Sequence, residues 1–211
     1  MSEKAEIMRV NRLRMGTDGK GISTLVAFYG CHLNCRYCIN PQCKNKETHR
    51  TYIEPKHLVE ILEVDDIYFR STGGGVVFGG GEPLLQAKYI KRVCKEMPKE
   101  WAVRVETSLN VPWEMIDLLI PYVDRWIIDI KDSNYSIYKK YTGMDGACVC
   151  ENVCRLSKKI GKDKLVIRIP EIPEYNTEVD MMYSMDIYDE FGKIDVFTYR
   201  KTAGTLGCEY C

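Results

Sequence analysis

Short runs of β-branched and aliphatic residues alternate with stretches of helical spacing along the chain. The apolar runs predict six strands, at residues 23–29, 76–79, 103–106, 125–131, 165–169 and 194–199. Apolar residues at helical spacing predict helices at residues 55–63, 84–97, 113–120, 151–160 and 178–191. Thr177 predicts a cap for the last helix, because Asp180 stands at the matching position of a capping box. Strands that alternate with helices in this way predict an α/β protein with a parallel sheet.

Six strand-and-helix units, rather than eight, predict either a partial (β/α)6 TIM-like barrel with parallel strands or a doubly wound sheet. The pattern alone does not separate these two folds. In both, a ligand binds beyond the carboxyl ends of the strands. The chemically distinctive residues fall where predicted strands end: a loop of three cysteines, the motif GGGEP, Glu106, Asp129 with Lys131, Arg168, and Tyr199 with Arg200. This convergence predicts a site at that edge of the sheet.

The composition is that of an ordinary globular chain with balanced charge. Its 211 residues predict a single domain, 1–211, with a loosely attached N-terminal extension (1–20) and a short C-terminal tail (202–211). Lys plus Arg and Asp plus Glu both number 30, so we expect no bulk electrostatic binding of nucleic acid or of an anionic membrane. No apolar run reaches the roughly 20 residues of a membrane span. The N-terminus lacks the apolar stretch of a signal peptide, so we expect a cytoplasmic protein.

The 10 cysteines are the most unusual feature of the composition. A disulfide framework requires an oxidising compartment, which the sequence does not indicate. Cys31, Cys35 and Cys38 form a C-x3-C-x2-C loop, and thiolates at such spacing bind a soft metal or an iron–sulfur cluster. Cys43 can close a structural metal site with four cysteines. The alternative is a cubane held by three cysteines, with its fourth iron open to a small molecule.

The cysteine loop, with the aromatic residue Tyr37 before its last cysteine, resembles the signature loop of the radical S-adenosylmethionine (SAM) enzymes. GGGEP resembles their second motif, a glycine-rich turn that receives the methionine amino group. The chain is most similar to the activating enzymes of glycyl-radical enzymes, the family that includes pyruvate formate-lyase activase. The segments that carry this resemblance, over roughly residues 16–201, are STGGGVVFGGGEPLLQ, VRVETSLNV, WIIDIKDSN and VIRIPEIPEYN.

The resemblance implies an enzyme that cleaves SAM reductively at a [4Fe-4S] cluster. The resulting 5′-deoxyadenosyl radical would abstract hydrogen from a glycine of a partner glycyl-radical enzyme, and a flavodoxin or ferredoxin-like protein would donate the electron. The implied cluster ligands are Cys31, Cys35 and Cys38, and Lys131 is implied to act with them. The residues that the resemblance implies for cofactor binding are Tyr37, Ile39, Gly80, Gly81, Glu82, Glu106, Asp129, Ile130, Lys131, Arg168 and Arg200.

Physical arguments support several of these roles. The backbone at Gly80 and Gly81 can approach a ligand closely, because glycine has no side chain. Lys131 suits a carboxylate as a mobile point charge. Asp129 and Glu106 suit ribose hydroxyls or a small cation, and each can instead pair with a neighbouring base.

Some features depart from the family. Pyruvate formate-lyase activase has a histidine where the segment FTYR has Arg200. The spare cysteines are either free thiols or ligands of an auxiliary cluster; they include Cys148, Cys150, Cys154, Cys208 and Cys211. Two other functions stay open, a radical SAM enzyme that modifies a peptide or small molecule directly and a non-catalytic binding module stabilised by a metal.

Overall fold

A computed structural model describes residues 4–199, 201–202 and 205–206. The chain divides into two compact units. Unit 1 comprises Met1–Cys31, Gln42–Glu106 and Glu114–Arg125, and unit 2 comprises His32–Pro41, Thr107–Trp113 and Trp126–Cys211. Among the described residues, no helix is both long enough and apolar enough to cross a bilayer. The single radical SAM domain stays a prediction.

Unit 1 is built on parallel strands with an antiparallel extension at one edge. Its strands follow the order β3-β1-β2-β4-β5, in which β2, β4 and β5 are parallel and β1 is antiparallel to both its neighbours. The middle of β4, Val76, Val77 and Phe78, has no exposed surface, as expected of a strand covered on both faces. The strands are β1 (Ala5–Met15), β2 (Ile22–Phe28), β3 (Thr51–Ile53), β4 (Gly75–Gly80) and β5 (Ala102–Thr107).

Helices connect these strands. The α-helices are α1 (Pro55–Leu62), α2 (Asp66–Thr72), α3 (Ala87–Glu96) and α4 (Trp113–Asp117), and single 3-10 turns lie at Pro41–Lys44, Glu63–Asp65 and Pro83–Gln86. Ile90 and Val93 of α3 are fully buried, so this helix presents an apolar face to the core of the unit.

Unit 2 repeats the strand-and-helix pattern with parallel strands in the order β6-β7-β8. Trp126, Ile127 and Ile128 of β6 are buried and anchor its core. The strands are β6 (Arg125–Asp129), β7 (Leu165–Glu171), β8 (Lys193–Thr198), β9 (Lys201–Thr202) and β10 (Thr205–Leu206), of which the last two pair with each other. The helices are α5 (Tyr135–Thr142), α6 (Ala147–Ile160) and α7 (Glu178–Tyr188), with a 3-10 turn at Lys162–Lys164.

All six predicted strands are confirmed, as β2 and β4–β8, and so is the α/β class. The prediction that residues 1–20 are loosely attached was wrong for residues 5–15. That segment forms β1, whose Ala5 and Ile7 are buried and which pairs with β2 along most of its length. Charged residues alternate with apolar ones in β1, because one side of an antiparallel strand can face water. From the sequence alone, such a charged segment cannot be distinguished from a loop.

The five predicted helices are confirmed as α1, α3, α4, α6 and α7, with α6 beginning at Ala147 rather than at residue 151. Thr177 caps α7 as predicted, and Asp180 completes the capping box. Two helices were missed, α2 and α5. Helix α5 has a weakly apolar sequence, YSIYKKYT, and its ends are fixed by the Asn134 cap and by Gly143 at φ +74°.

Candidate functional site

The cysteine loop follows β2. Cys31 is the last residue of a unit 1 segment, whereas Cys35 and Cys38 belong to unit 2. All three are partly exposed, and none of the eight described cysteines forms a disulfide. The loop starts at Gly30, which has φ +97° and donates its N–H to the Cys43 carbonyl at 2.8 Å. Cys43 is buried, with 1% of its surface exposed.

In unit 1 the glycine motif is tied to the backbone that leads into Cys31. The Gly81 N–H donates to the Phe28 carbonyl, and the Glu82 N–H donates to the Gly30 carbonyl, both at 2.9 Å. A Cβ atom on Gly81 would lie 2.1 Å from the Gly30 oxygen. A Cβ atom on Gly80, where φ is +93°, would lie 2.8 Å from backbone atoms of Ala27 and Phe28. Glycine is therefore required here for the packing of backbone on backbone, whatever a ligand adds.

Two predicted acidic residues of unit 1 have structural contacts. The Glu82 carboxylate is 3% exposed and accepts a hydrogen bond from the Leu84 N–H at 3.2 Å, which caps the 3-10 turn after the motif. Glu106, the penultimate residue of β5, lies beside Gly79 and has Arg14 at 3.9 Å. Their roles in cofactor binding stay predictions.

In unit 2 a buried cation lies at the end of β6. The Lys131 ammonium donates to Asp129 Oδ2 and, at 3.2 Å, to the Tyr199 hydroxyl. Burial lowers the pKa of Lys131, but the Asp129 carboxylate outweighs this, so the pKa lies well above its ordinary value and the group is charged. Among the described residues, none donates a hydrogen bond to the other carboxylate oxygen, Asp129 Oδ1, which is buried. A charged donor beside an unsatisfied acceptor can bind a polar zwitterionic ligand.

A cluster of four tyrosines reaches this cation through Tyr199. Tyr37, Tyr141 and Tyr199 are buried, and their cluster includes Cys35, Ile39 and Tyr175 at its edge. The ring of Tyr141 lies 6.2 Å from that of Tyr37, 5.2 Å from that of Tyr175 and 6.3 Å from that of Tyr199. Burial raises the pKa of Tyr141 above its ordinary value, and its hydroxyl has no hydrogen-bond partner among the described residues. Tyr141 and Tyr199 therefore place aromatic surface beside Lys131.

The structure corrects the prediction for Arg168. This residue lies in the middle of β7, not at its end, because the strand continues to Glu171. It is the register partner of Asp129 on β6 and of Asp195 on β8, and its Nε lies 3.5 Å from Asp195 Oδ2. Ile130 is fully buried and donates its N–H to the Arg168 carbonyl at 2.9 Å. Arg200 lies outside the described residues.

The spare cysteines of α6 do not form a metal-binding cluster among the described residues. Cys148 is exposed and donates to Asn110 Oδ1 at 3.2 Å, and Cys150 and Cys154 are partly exposed. Cys208 and Cys211 lie outside the described residues. Within the ranges that the structure describes, no three His, Cys, Asp or Glu side chains are placed to hold a single metal ion. The ligands of one zinc ion must meet at a single point, whereas each thiolate of a cubane binds its own iron.

Sequence reasoning missed Tyr141, Tyr175 and Glu174, whose hydroxyl, ring and carboxylate complete the surroundings of the cysteine loop. Tyr141 lies in the helix that was not predicted, and Tyr175 and Glu174 lie in the loop before α7. The only available signal was the density of tyrosine, 14 in the chain.

Comparison with curated proteins finds activating enzymes. The chain is 34% identical over 122 residues to the (2S)-3-sulfopropanediol dehydratase activating enzyme of Klebsiella oxytoca, covering 57% of this chain and 38% of that protein. It is 24% identical over 259 residues to the (2S)-3-sulfopropanediol sulfolyase activating enzyme of Bilophila wadsworthia, covering 92% and 86%. It is 34% identical over 129 residues to the pyruvate formate-lyase-activating enzyme of Clostridium pasteurianum, covering 60% and 52%. The chain thus spans well under two thirds of the first and third relatives.

The fold is similar to that of solved radical SAM structures. Streptococcus suis SuiB bound to S-adenosylmethionine matches with a TM-score of 0.64 at 15% identity, covering 87% of this chain and 41% of that one. This similarity concerns the fold alone, and it confirms the predicted partial TIM-like barrel over a doubly wound sheet. Residues 25–185 match the model of the radical SAM superfamily, whose members use a [4Fe-4S] cluster and SAM. The chain belongs to the radical SAM superfamily.

Proposed function

We propose that the chain is an activating enzyme that removes a hydrogen atom from a glycine of a partner glycyl-radical enzyme. The observation that carries the proposal is that the three relatives described above are all named as activating enzymes, although their named targets differ. Because the chain spans only 38% of the first relative, the activity and the partner are both part of the proposal.

The cysteine loop supplies a donor set that fits a [4Fe-4S] cluster. Cys31, Cys35 and Cys38 are three soft ligands on one loop, and none of them is in a disulfide. Three thiolates leave one iron of a cubane for SAM. When bound, the cluster and SAM supply the one-electron chemistry that starts hydrogen abstraction.

Lys131 and Asp129 suit the methionine end of SAM. The Lys131 ammonium is buried and charged, so it can hold a carboxylate in a site from which water is largely excluded. Within the part of the chain that the structure describes, Asp129 Oδ1 is buried and has no hydrogen-bond partner, so a ligand N–H or O–H at that position would satisfy it. These contacts would orient SAM before any electron arrives.

In this proposal the cluster of Tyr37, Tyr141 and Tyr199 protects the radical from water. Tyr37, Tyr141 and Tyr199 present apolar rings to the space beside Cys35 and Lys131. A reactive carbon radical must be kept from water and from side reactions, and a buried aromatic surface does this. Ile39 packs against the same cluster and extends it.

The proposed partners are a glycyl-radical enzyme as protein substrate and a flavodoxin or ferredoxin-like protein as electron donor. Nucleic acid and membrane have no part in the proposal, which places the reaction in the cytoplasm. The balanced charge of the chain, 30 basic and 30 acidic residues, gives no reason to add a polyanion.

The test uses the full chain, purified and reconstituted without oxygen. We expect about four irons per chain. After reduction and addition of SAM, the glycyl-radical enzyme encoded nearest to its gene should show a glycyl doublet by electron paramagnetic resonance (EPR). Lys131→Met should weaken SAM binding at least tenfold, the size of a lost charge-assisted hydrogen bond. Lys162→Met, at an exposed site in unit 2, is the matched control and should bind SAM like the wild type.

Two outcomes would contradict the proposal. Cleavage of SAM with no glycyl radical on any encoded partner would favour direct modification of a peptide or small molecule, as would about eight irons per chain. A colourless, zinc-loaded protein after the same preparation would favour the non-catalytic binding module.

A further inference from the structure

Glu174 holds a backbone conformation that residues other than glycine rarely adopt. Its φ is +71°, in the left-handed region, and it lies in the loop between β7 and α7. Its side chain makes a long-range contact from that position, since Oε2 accepts a hydrogen bond from the Tyr37 hydroxyl at 2.8 Å. Strained residues persist where the surrounding structure fixes them, and they are common at functional sites.

The loop that carries Glu174 is itself held firmly. Asn176 Oδ1 accepts a hydrogen bond from the Ile172 N–H at 2.6 Å, and Asn176 Nδ2 donates to the Pro170 carbonyl at 2.9 Å. The N–H of Tyr175 donates back to the Ile172 carbonyl at 3.0 Å. The Glu174 carboxylate is therefore presented by a fixed backbone, which lowers the cost of ordering it.

Tyr37 stands between two of the cluster ligands, Cys35 and Cys38. The part of the loop before Tyr37 is held through its backbone: the Asn34 N–H donates to the Thr142 carbonyl at 2.7 Å, and the Arg36 N–H donates to the Tyr141 carbonyl at 3.2 Å. At Tyr37 it is the side chain that makes the contact, and this residue is 9% exposed.

We propose that Glu174 is a positioning residue of the cysteine loop. Glu174 accepts a hydrogen bond from the Tyr37 hydroxyl and so fixes the Tyr37 ring against Tyr141 and Tyr175. This in turn fixes the backbone from which Cys35 and Cys38 project. The inference rests on the proposed function only in assuming that the thiolates of Cys35 and Cys38 bind the cluster. The hydrogen bond itself is a property of the chain and can be measured without any reaction.

The test uses four variants of the full chain. Glu174→Gly removes the acceptor and relieves the left-handed strain, so it is not expected to impair folding. Glu174→Gln keeps an acceptor oxygen, and Tyr37→Phe removes only the donor. Leu13→Gly is the matched control, because Leu13 also has a positive φ, +58°, but lies on β1, outside the cysteine loop.

The first readout is amide hydrogen exchange of a peptide covering residues 34–40 in the chain without cluster. Glu174→Gly and Tyr37→Phe should each speed exchange about tenfold, the double variant should add nothing, and Glu174→Gln and Leu13→Gly should match the wild type. The second readout is loss of iron to a chelator after reconstitution, which should follow the same order.

Wild-type exchange in Glu174→Gly, or additive effects in the double variant, would overturn the positioning role. Failure of the wild type to activate any glycyl-radical enzyme would overturn the proposed function and leave the exchange result standing.

Discussion

Gly81→Ala separates two reasons for the glycine motif. If glycine is there to let a ligand approach, one added methyl group should weaken SAM binding and leave the empty chain stable. If glycine is there because backbone packs on backbone, the same change should destabilise the chain before any ligand binds. The structure favours the second reason, because the added Cβ would meet the Gly30 oxygen at 2.1 Å.

The contacts around Gly81 give the magnitude. A Cβ atom there is about 1 Å too close to the oxygen, so the motif must move away from the residues that precede Cys31. That movement breaks the two hydrogen bonds from Gly81 to Phe28 and from Glu82 to Gly30, worth about 1 kcal/mol each. Overpacking adds about 1–3 kcal/mol, and the stiffer unfolded chain returns about 0.5 kcal/mol. We expect a loss of about 3 kcal/mol in the free energy of unfolding.

The assay is urea unfolding of the chain without cluster, followed by circular dichroism. Gly73→Ala is the control: Gly73 sits in the left-handed helical region at φ +67°, but its Cβ would meet no heavy atom within 4 Å, so the change should cost only about 1 kcal/mol. After reconstitution, Gly81→Ala should hold less iron than the control, because the backbone entering Cys31 has moved. Wild-type stability combined with weaker SAM binding would refute the packing argument.

Two other predictions follow from buried groups. Burial raises the pKa of Asp65, but hydrogen bonds from Arg12 and Thr24 more than offset this and hold the folded-state pKa below its ordinary 3.8. The resulting gain in the free energy of unfolding is full above pH 3.8 and is lost as pH falls through the folded-state pKa. Thr24→Val should thus cost about 1–2 kcal/mol in urea unfolding at pH 7 and clearly less at pH 3, and an equal cost at both pH values would contradict this. Cys43→Ala should retain about four irons per chain and Cys38→Ala should lose them; loss of metal in both variants would point to a site closed by Cys43.

The sequence predicted the elements whose pattern is local. The runs around Val77 and Ile128 are apolar throughout, as in strands covered on both faces, and the spacing of Cys31, Cys35 and Cys38 is visible in the chain itself. Strand β1 escaped prediction because its alternating charges are compatible with a loop until a partner strand is known. Arg168 was placed at a strand end because the polar residue interrupts an apolar run, although backbone pairing continues to Glu171.

What the sequence did not show are properties that arise only from tertiary contact. GGGEP indicates a turn, but only the approach of the Gly30 carbonyl explains why Gly81 must lack a side chain. Glu82 is predicted to bind a cofactor, which stays a prediction, but only the structure shows that its carboxylate caps the turn that follows. No local pattern distinguishes Glu174 from other exposed acids, since its φ and its contact with Tyr37 depend on residues far away in sequence.

The pair formed by buried Lys131 and partly exposed Asp129 fits the proposed ligand binding better than a stabilising role. Removing two charges from water costs about as much as their attraction returns, so a buried ion pair adds little to the free energy of folding. Here the cost is higher, because Asp129 Oδ1 is buried and no residue that the structure describes donates a hydrogen bond to it. Apolar residues of similar size would fill the space beside Tyr199 more cheaply. The arrangement therefore makes physical sense for a site whose ligand brings the missing donor for Asp129 and an anionic group for Lys131, which are the two charged groups of an amino acid.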